Sequence, residues 1–214
     1  MKIIIPIKGK GALEGDLHIP HGAKGLVLFA HGSGSSRHSP RNRFVAGVLQ
    51  KGGLGTFLVD LLTQEEGATD DMTAALRFDI HLLTDRLVLV TKWLQTSKEA
   101  KALRVGYFGA STGAAAALCA AAEIQKGIGA VVSRGGRPDL AKDALSKVEA
   151  PTLLIVGGYD VPVIQMNEEA YAQLNCEKKM IIVPRATHLF EEPGALEEVA
   201  RLALDWFRMH LGIP

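Results

Sequence analysis

The feature that most constrains the fold is a series of short apolar runs that alternate with helix-length segments. The runs are continuously apolar and lack the alternation of a half-exposed strand, as expected of parallel strands covered on both faces. They occupy residues 25–31, 56–61, 104–110, 129–135, 151–158 and 180–184. This repeated strand–helix alternation predicts an α/β fold with a doubly wound, mostly parallel sheet.

The segments around these runs complete the predicted organisation. Residues 3–8 and 13–19 form a predicted strand pair, joined by a turn that contains Gly9 and Gly11. Helices are predicted over residues 44–51, 70–96, 112–124, 140–147, 164–174 and 194–210. No repeat, low-complexity tract or linker divides the sequence, so residues 1–214 are predicted to form a single domain. The short connection 134–151 leaves no room for a large lid, which predicts a minimal or absent cap and an open site.

Composition and charge argue against several classes of function. A formal net charge of +1 gives no reason to expect nucleic acid or an anionic membrane as a partner. Cys119 and Cys176 are too few for a disulfide framework, and no cluster of cysteine and histidine indicates a metal. The apolar run at the N-terminus is too short for a secretory signal, and no stretch approaches the roughly 20 apolar residues of a membrane span. We therefore expect a soluble, cytoplasmic enzyme with a buried structural thiol at Cys119.

The sequence Gly109-Ala110-Ser111-Thr112-Gly113 joins a predicted strand to an alanine-rich helix. A serine at such a strained turn requires small residues two positions away on each side, because larger side chains would collide with the strand and the helix. The N–H of Thr112, at the start of the helix, can point at an anion that forms beside the serine. The alternative is a turn that binds phosphate, but neither G-x-G-x-x-G nor a Walker lysine is present. The pattern predicts a nucleophilic Ser111.

A serine hydroxyl needs a general base, and the base needs an acid that orients it. Asp160 follows the run 151–158 and His188 follows the run 180–184, so both lie where parallel strands end and such sheets build their sites. We predict His188 as the base and Asp160 as the acid. The other interpretations are a helix cap for Asp160 and an ordinary loop histidine for His188. Alternative acids are Asp139, Glu191 and Glu192.

The loop His31-Gly32-Ser33-Gly34 follows an early strand and is predicted to supply the second oxyanion donor. Ser33 is the predicted donor, acting through its backbone N–H beside that of Thr112. Gly34 is the alternative donor and a candidate substrate contact. His31 is predicted to be structural, with hydrogen bonds inside the loop.

Several arginines flank the predicted mouth of the site. An arginine fork binds carboxylates well, so these residues are candidates for recognising an acidic ester or lactone. For any one of them, a solvated loop arginine is the favoured interpretation. The candidates for substrate binding are Arg41, Arg134 and Arg137, with Arg37 and Arg43 nearby.

The elbow around Ser111, with "HGSGSS", "GGYD" and "ATHLF", resembles the α/β-hydrolase superfamily, particularly its dienelactone hydrolase-like branch. The resemblance runs from Gly25 to the last helix. It implies a nucleophile–His–Asp triad that hydrolyses esters or lactones without a metal or an organic cofactor. Dienelactone hydrolases carry cysteine at the elbow, whereas this chain has Ser111, which favours a general carboxylesterase acting through an acyl-enzyme.

The expected partner is therefore a small-molecule ester or lactone, and neither nucleic acid nor a membrane is expected. The same triad would serve a thioesterase or a peptidase, and a non-catalytic binding protein on this fold is a further alternative. The oligomeric state is left open by the sequence.

Overall fold

Parallel strands dominate the computed structural model, which describes residues 1–212. The strands are β1 (Lys2–Pro6), β2 (Ala12–His18), β3 (Gly25–Ala30), β4 (Gly55–Val59), β5 (Arg104–Ala110), β6 (Ile128–Arg134), β7 (Thr152–Gly157) and β8 (Lys178–Val183). They form one sheet in the order β1-β2-β4-β3-β5-β6-β7-β8. The two pairings made by β2 are antiparallel, and the pairings from β4 to β8 are parallel. The predicted fold class, an α/β-hydrolase fold built on a mostly parallel sheet, is confirmed.

Helices cover both faces of this sheet. They are α1 (Pro40–Lys51), α2 (Gln64–Thr73), α3 (Ile80–Thr96), α4 (Thr112–Ile124), α5 (Val161–Gln173) and α6 (Ala195–Leu211). Short 3-10 helices lie at Leu76–Phe78, Gln125–Gly127 and Pro138–Lys147. One core cluster joins the sheet to α3, α4 and α5, and a second joins its other face to α1 and α6. The central strands β3, β5 and β7 are therefore buried on both sides, as their continuous apolar runs predict.

The predicted helix 70–96 is wrong in its extent, because two helices and a 3-10 turn occupy this stretch. A capping box starts α2 earlier: Thr63 Oγ1 accepts from the N–H of Glu66 at 3.2 Å, and the Glu66 carboxylate accepts from the N–H of Thr63 at 2.9 Å. The helix ends at Ala74, which adopts a left-handed φ of 54°. The apolar spacing that suggested one long helix belongs to α3 alone.

The helix predicted over 140–147 is instead part of the 3-10 stretch Pro138–Lys147, which is kinked at Lys142 with φ 47°. The connection between β6 and β7 thus holds only this short stretch, as expected for a chain with a minimal cap.

Residues 63–79, here called the α2 segment, form a small polar structure between β4 and α3. Asp70 is the one buried residue of α2. Ion pairs attach the segment to the domain, with Glu66 2.5 Å from Arg86 of α3. Within the segment, Asp70 lies 2.7 Å from Arg77. Polar contacts, and not apolar packing, hold the α2 segment in place.

Two further features bear on the expectations from composition. Residues 1–212 include no helix that is both long and apolar enough to cross a membrane. Cys119 and Cys176 are free and half-buried, and burial raises the pKa of both thiols.

Candidate active site

Ser111 lies at a strained turn between β5 and α4, with φ 51° and ψ −123°. Residues other than glycine rarely adopt a positive φ, and they keep it only where the surroundings enforce it. The surroundings are tight: a Cβ on Gly109 would lie 2.4 Å from Ala114 Cα, and one on Gly113 would lie 2.3 Å from Ala30 O. The two glycines of the predicted elbow are therefore required by close packing.

Backbone hydrogen bonds fix this turn against the end of β6. The N–H of Ser111 donates to Arg134 O at 3.3 Å, and the Ser111 carbonyl accepts from the N–H of Arg137 at 3.1 Å. The Ser111 hydroxyl itself makes no hydrogen bond with residues 1–212. Its position is fixed by the backbone of the turn.

Asp160 and His188 meet as their positions after β7 and β8 predict. His188 Nδ1 donates to Asp160 Oδ2 at 2.6 Å. Asp160 stands at the N-cap position of α5, yet its side chain makes no cap hydrogen bond. The carboxylate therefore orients the imidazole and does not serve as a helix cap.

The alternative acids have other partners. Asp139 accepts from Arg137 through both oxygens, at 2.9 and 2.7 Å. Glu192 accepts from the hydroxyl and the N–H of Thr187, and Glu191 accepts from Arg41.

The His188 loop packs on the same turn that holds Ser111. A Cβ on Gly135, the residue after Arg134, would lie 3.0 Å from His188 O and 3.6 Å from His188 Cε1. Among residues 1–212, no hydrogen bond joins the Ser111 hydroxyl to the imidazole. Such bonds are commonly long without substrate and tighten when it binds.

The loop after β3 packs directly on the elbow, since a Cβ on Gly32 would lie 3.1 Å from Ser111 Cβ. The N–H of Ser33, the predicted oxyanion donor, instead donates to Thr112 Oγ1 at 3.0 Å. The N–H groups of Thr112 and Gly34 make no hydrogen bond in the described part of the chain. In this state the geometry favours Gly34, the alternative donor, as the partner of Thr112.

His31 has the structural role that the sequence predicts. Its Nδ1 donates to Gly32 O at 3.0 Å, and its Nε2 accepts from the N–H of Leu61 at 3.1 Å. Burial lowers the pKa of His31, so the ring is neutral at physiological pH. His31 therefore connects the loop 31–34, here called the oxyanion loop, to the residues that follow β4.

The candidate arginines differ in their surroundings. Arg137 is held by Asp139, and Arg41 Nη1 lies 3.2 Å from Glu191 Oε1. Arg134 is 5% exposed, and its Nη2 donates to Asn42 Oδ1 at 3.4 Å. Its role in binding a substrate carboxylate stays a prediction, as do those of Arg41 and Arg137.

Arg134 has no carboxylate partner among residues 1–212, and its guanidinium lies 5.9 Å from the centre of the Phe190 ring. Burial, with a smaller contribution from like-charged Arg41, lowers the pKa of Arg134 to about 10. The side chain is therefore still protonated at neutral pH, where it links α1 to the His188 loop.

Sequence reasoning missed a cavity of about 810 Å³ between the oxyanion loop and the α2 segment. Arg37, Asp70 and Arg77 line it. In the sequence, Asp70 and Arg77 showed nothing beyond their position in a predicted helix. The T-x-x-E pattern at Thr63 would have located the start of α2. Within residues 1–212 no group of three or more histidine, cysteine or acidic side chains is arranged to hold a metal ion.

Comparisons with known proteins show the family and the fold of this chain. The model of the dienelactone hydrolase family matches residues 17–210, so the chain belongs to that family. The crystal structure of a dienelactone hydrolase from Anabaena variabilis is 61% identical, with a TM-score of 0.95, and the match covers 99% of this chain and 98% of that one. Est1E from Butyrivibrio proteoclasticus has a TM-score of 0.82 at 15% identity, covering 99% of both chains, and so shares the fold. Family and fold support a hydrolase.

Proteins from two strains of Mycobacterium tuberculosis carry a different, provisional name, phosphoribosyl transferase. They are 56% identical to this chain over 208 residues, which are 97% of this chain and 46% of theirs. The chain thus spans about half the length of these curated relatives, and their name describes the longer proteins.

Proposed function

We propose that this protein is a serine hydrolase that cleaves carboxylic esters or lactones of small soluble substrates through an acyl-enzyme on Ser111. The observation that carries the proposal is the 2.6 Å hydrogen bond from His188 Nδ1 to Asp160 Oδ2, beside a serine with a left-handed φ at the elbow. The family match and the likeness to the Anabaena dienelactone hydrolase support the reaction class.

In the first half-reaction, His188 Nε2 accepts the proton of the Ser111 hydroxyl while Oγ bonds to the carbonyl carbon. Asp160 accepts the Nδ1–H bond, which keeps Nε2 available as the base and stabilises the imidazolium that forms. The oxyanion receives hydrogen bonds from the N–H of Thr112 and from Gly34, or from Ser33 once Thr112 releases it. The C–O bond to the alcohol then breaks, and His188 returns its proton to the leaving oxygen.

In the second half-reaction, water attacks the acyl-enzyme as His188 accepts a proton from it. The Ser111–acyl bond breaks, Oγ regains the proton, and the acid leaves. A lactone follows the same steps, except that its leaving hydroxyl stays attached to the acyl group. The steps use Ser111, Asp160, His188 and the backbone N–H donors, with water as the second nucleophile.

The proposed setting is cytoplasmic, with a small-molecule substrate and without nucleic acid or a membrane as a partner. A thioesterase or a peptidase would use the same three residues. A binding protein would not need a reactive serine, and a phosphoribosyl transferase would not form an acyl-enzyme.

A screen of p-nitrophenyl acetate and butyrate, acyl-CoA thioesters, γ-lactones and a peptide anilide separates these functions. We expect hydrolysis of the oxygen esters or lactones by the wild type and none by Ser111→Ala. Ser146→Ala is a matched control, because Ser146 is an exposed serine outside the site. Turnover of thioesters or anilides alone would replace the proposal with one of the alternative hydrolases.

A further inference from the structure

Apart from the N–H groups of Ser33 and Gly34, the proposed chemistry does not use the cavity beside the oxyanion loop. Residues 31–41 line one side of it, including Gly32, Ser33 and Gly34, and residues 60–77 line the other. Its volume of about 810 Å³ is in the range of small-molecule sites. Gly32 lines the cavity and also packs on Ser111, so the cavity lies directly beside the loop that contacts the elbow.

The charged groups around the cavity are already paired with one another. Arg37 contacts the carboxylates of Asp60 and Glu14, and Arg41 contacts Glu191. Four carboxylates and three guanidiniums line the cavity, so the lining has no positive excess that would attract an anion. The carboxylates are those of Glu14, Asp60, Asp70 and Asp71.

Hydroxyl groups supply much of the remaining polar lining. Four serines of the loop, at positions 33, 35, 36 and 39, line the cavity. The Ser35 hydroxyl makes no side-chain hydrogen bond within residues 1–212. An alkyl group placed here would leave such donors and acceptors unpaired, which is costly for polar groups removed from water.

Arg77 is oriented toward the cavity by Asp70. Its Nε donates to Asp70 Oδ2 at 2.7 Å, and its Nη2 donates to the Asp70 carbonyl at 2.9 Å. Asp70 also accepts from the N–H groups of Leu76 and Arg77, so the carboxylate is fixed in place. Nη1 has no hydrogen-bond partner among residues 1–212 and lies 3.3 Å from where a Cβ on Gly34 would be. The guanidinium therefore presents one free donor next to the oxyanion loop.

We propose that this cavity binds a neutral, hydroxyl-rich part of the substrate, a sugar ring or a polyol, and that Arg77 Nη1 donates to one of its oxygens. The inference rests on the proposed function, since Gly32, which lines the cavity, packs on Ser111. Paired charges and free hydroxyl groups favour a neutral polyhydroxylated ligand over both an alkyl chain and a carboxylate.

The test compares two esters with the same acyl group, 6-O-acetyl methyl glucoside and butyl acetate. We expect the wild type to favour the sugar ester by at least about tenfold in kcat/KM. Arg77→Gln should lower kcat/KM for the sugar ester by about 10- to 100-fold, mainly through KM, and change butyl acetate by less than about threefold. Ser35→Ala, which removes no tether of the α2 segment, should weaken the sugar ester alone by about threefold to tenfold.

Arg201→Gln is the matched control for loss of an arginine, because Arg201 is exposed on α6 and donates hydrogen bonds to Glu198 and Asp205. Two results would overturn the inference. One is an equal kcat/KM for the two esters in the wild type. The other is an equal loss of kcat/KM for both esters in Arg77→Gln, with no loss in Ser35→Ala. Hydrolysis of p-nitrophenyl acetate by Ser111 in that case would leave the proposed function standing.

A binding measurement tests the inference independently of ester hydrolysis. Methyl glucoside, titrated against the ¹⁵N-labelled protein, should shift the amide resonances of residues 33–36 and the Arg77 Nε–H resonance in the wild type. Methyl glucuronate should shift them less at the same concentration. These shifts would support the inference even if no ester were hydrolysed, and their absence would contradict it whatever the protein hydrolyses.

Discussion

The elbow edge of the sheet and the α2 segment both lie against the loop 31–34, through Ser111 and Arg77, but they are held in place by opposite means. Ser111 follows β5 and Asp160 follows β7, and every residue of β7 is buried, as are the last six of β5. In the α2 segment, Asp70 is the one buried residue of the helix, and caps and ion pairs provide the attachment. The groups proposed to react are thus fixed by apolar packing, whereas the wall that shapes the cavity is fixed by polar contacts.

We expect the elbow edge to govern the rate of the reaction and the α2 segment to govern which substrates bind. A change in the α2 segment alters the cavity without moving the strands that carry Ser111 and Asp160. A change at the strand ends alters the chemistry and leaves the polar wall in place. Each substitution below should therefore affect mainly one of the two regions.

The largest effect is expected at the elbow edge. Ser111→Ala removes the nucleophile, and His188→Ala removes its base, so each should lower kcat for p-nitrophenyl acetate by about 10⁴-fold or more. The melting temperature should stay close to that of the wild type. Activity within tenfold of the wild type in Ser111→Ala would place the nucleophile elsewhere.

Asp160→Asn should lower kcat by about 10²- to 10⁴-fold, because an amide no longer holds the imidazole in the productive tautomer or supports its positive charge. Asp139→Asn is the comparison, since Asp139 contacts Arg137 and not the imidazole. We expect its kcat to stay within about threefold of the wild type. The reverse pattern in steady-state kinetics would make Asp139 the acid.

In the α2 segment, Asp70→Asn should weaken the hold on Arg77 and the turn after α2, because the Asp70 carboxylate accepts three hydrogen bonds, from the N–H of Leu76 and from the N–H and Nε of Arg77. Loss of these charge-assisted contacts should lower the local free energy of opening by about 1–3 kcal/mol. Amide hydrogen exchange should accelerate in residues 64–78 and stay unchanged in β5 and β7. Equal acceleration in both regions would show that they do not behave separately.

The smallest effect concerns pH. Burial raises the pKa of Asp70, but hydrogen bonds from the backbone and side chain of Arg77 and from Leu76 outweigh it, so the pKa is lowered overall. A carboxyl whose folded-state pKa is depressed stabilises the segment fully above its unfolded value of about 4, and this contribution is lost as the pH falls through the folded value.

Hydrogen exchange in residues 64–78, corrected for intrinsic rates, should therefore report a weaker segment below about pH 4 in the wild type. The dependence should be reduced in Asp70→Asn, which has no carboxyl to protonate. Identical pH dependence in the two proteins would exclude Asp70 as its source.

The same difference explains how much could be predicted from sequence. Continuous apolar runs identified β3, β5 and β7, and the rule that sites form at strand ends brought Asp160 and His188 together. The glycine spacing located Ser111, because only residues without a side chain fit against Ala114 and Ala30. Where apolar burial determines the structure, the pattern of residues is a sufficient guide.

The polar region was predicted less well for a physical reason. The end of α2 at the left-handed Ala74 could not be predicted from the residue type, because alanine is a good helix former. The contact between Asp70 and Arg77 crosses the end of α2, and the bond from Ser33 to Thr112 joins residues 79 apart. Such contacts depend on the geometry of the completed fold.

Labelling by a fluorophosphonate, followed by peptide mapping in the mass spectrometer, tests the central claim most directly, because these reagents bond to serines that an adjacent base activates. We expect one adduct, on the peptide that contains Ser111, with its formation abolished in Ser111→Ala and strongly slowed in His188→Ala. Loss of ester hydrolysis should parallel adduct formation. An adduct on another residue, or full hydrolysis by a protein labelled at Ser111, would contradict the account.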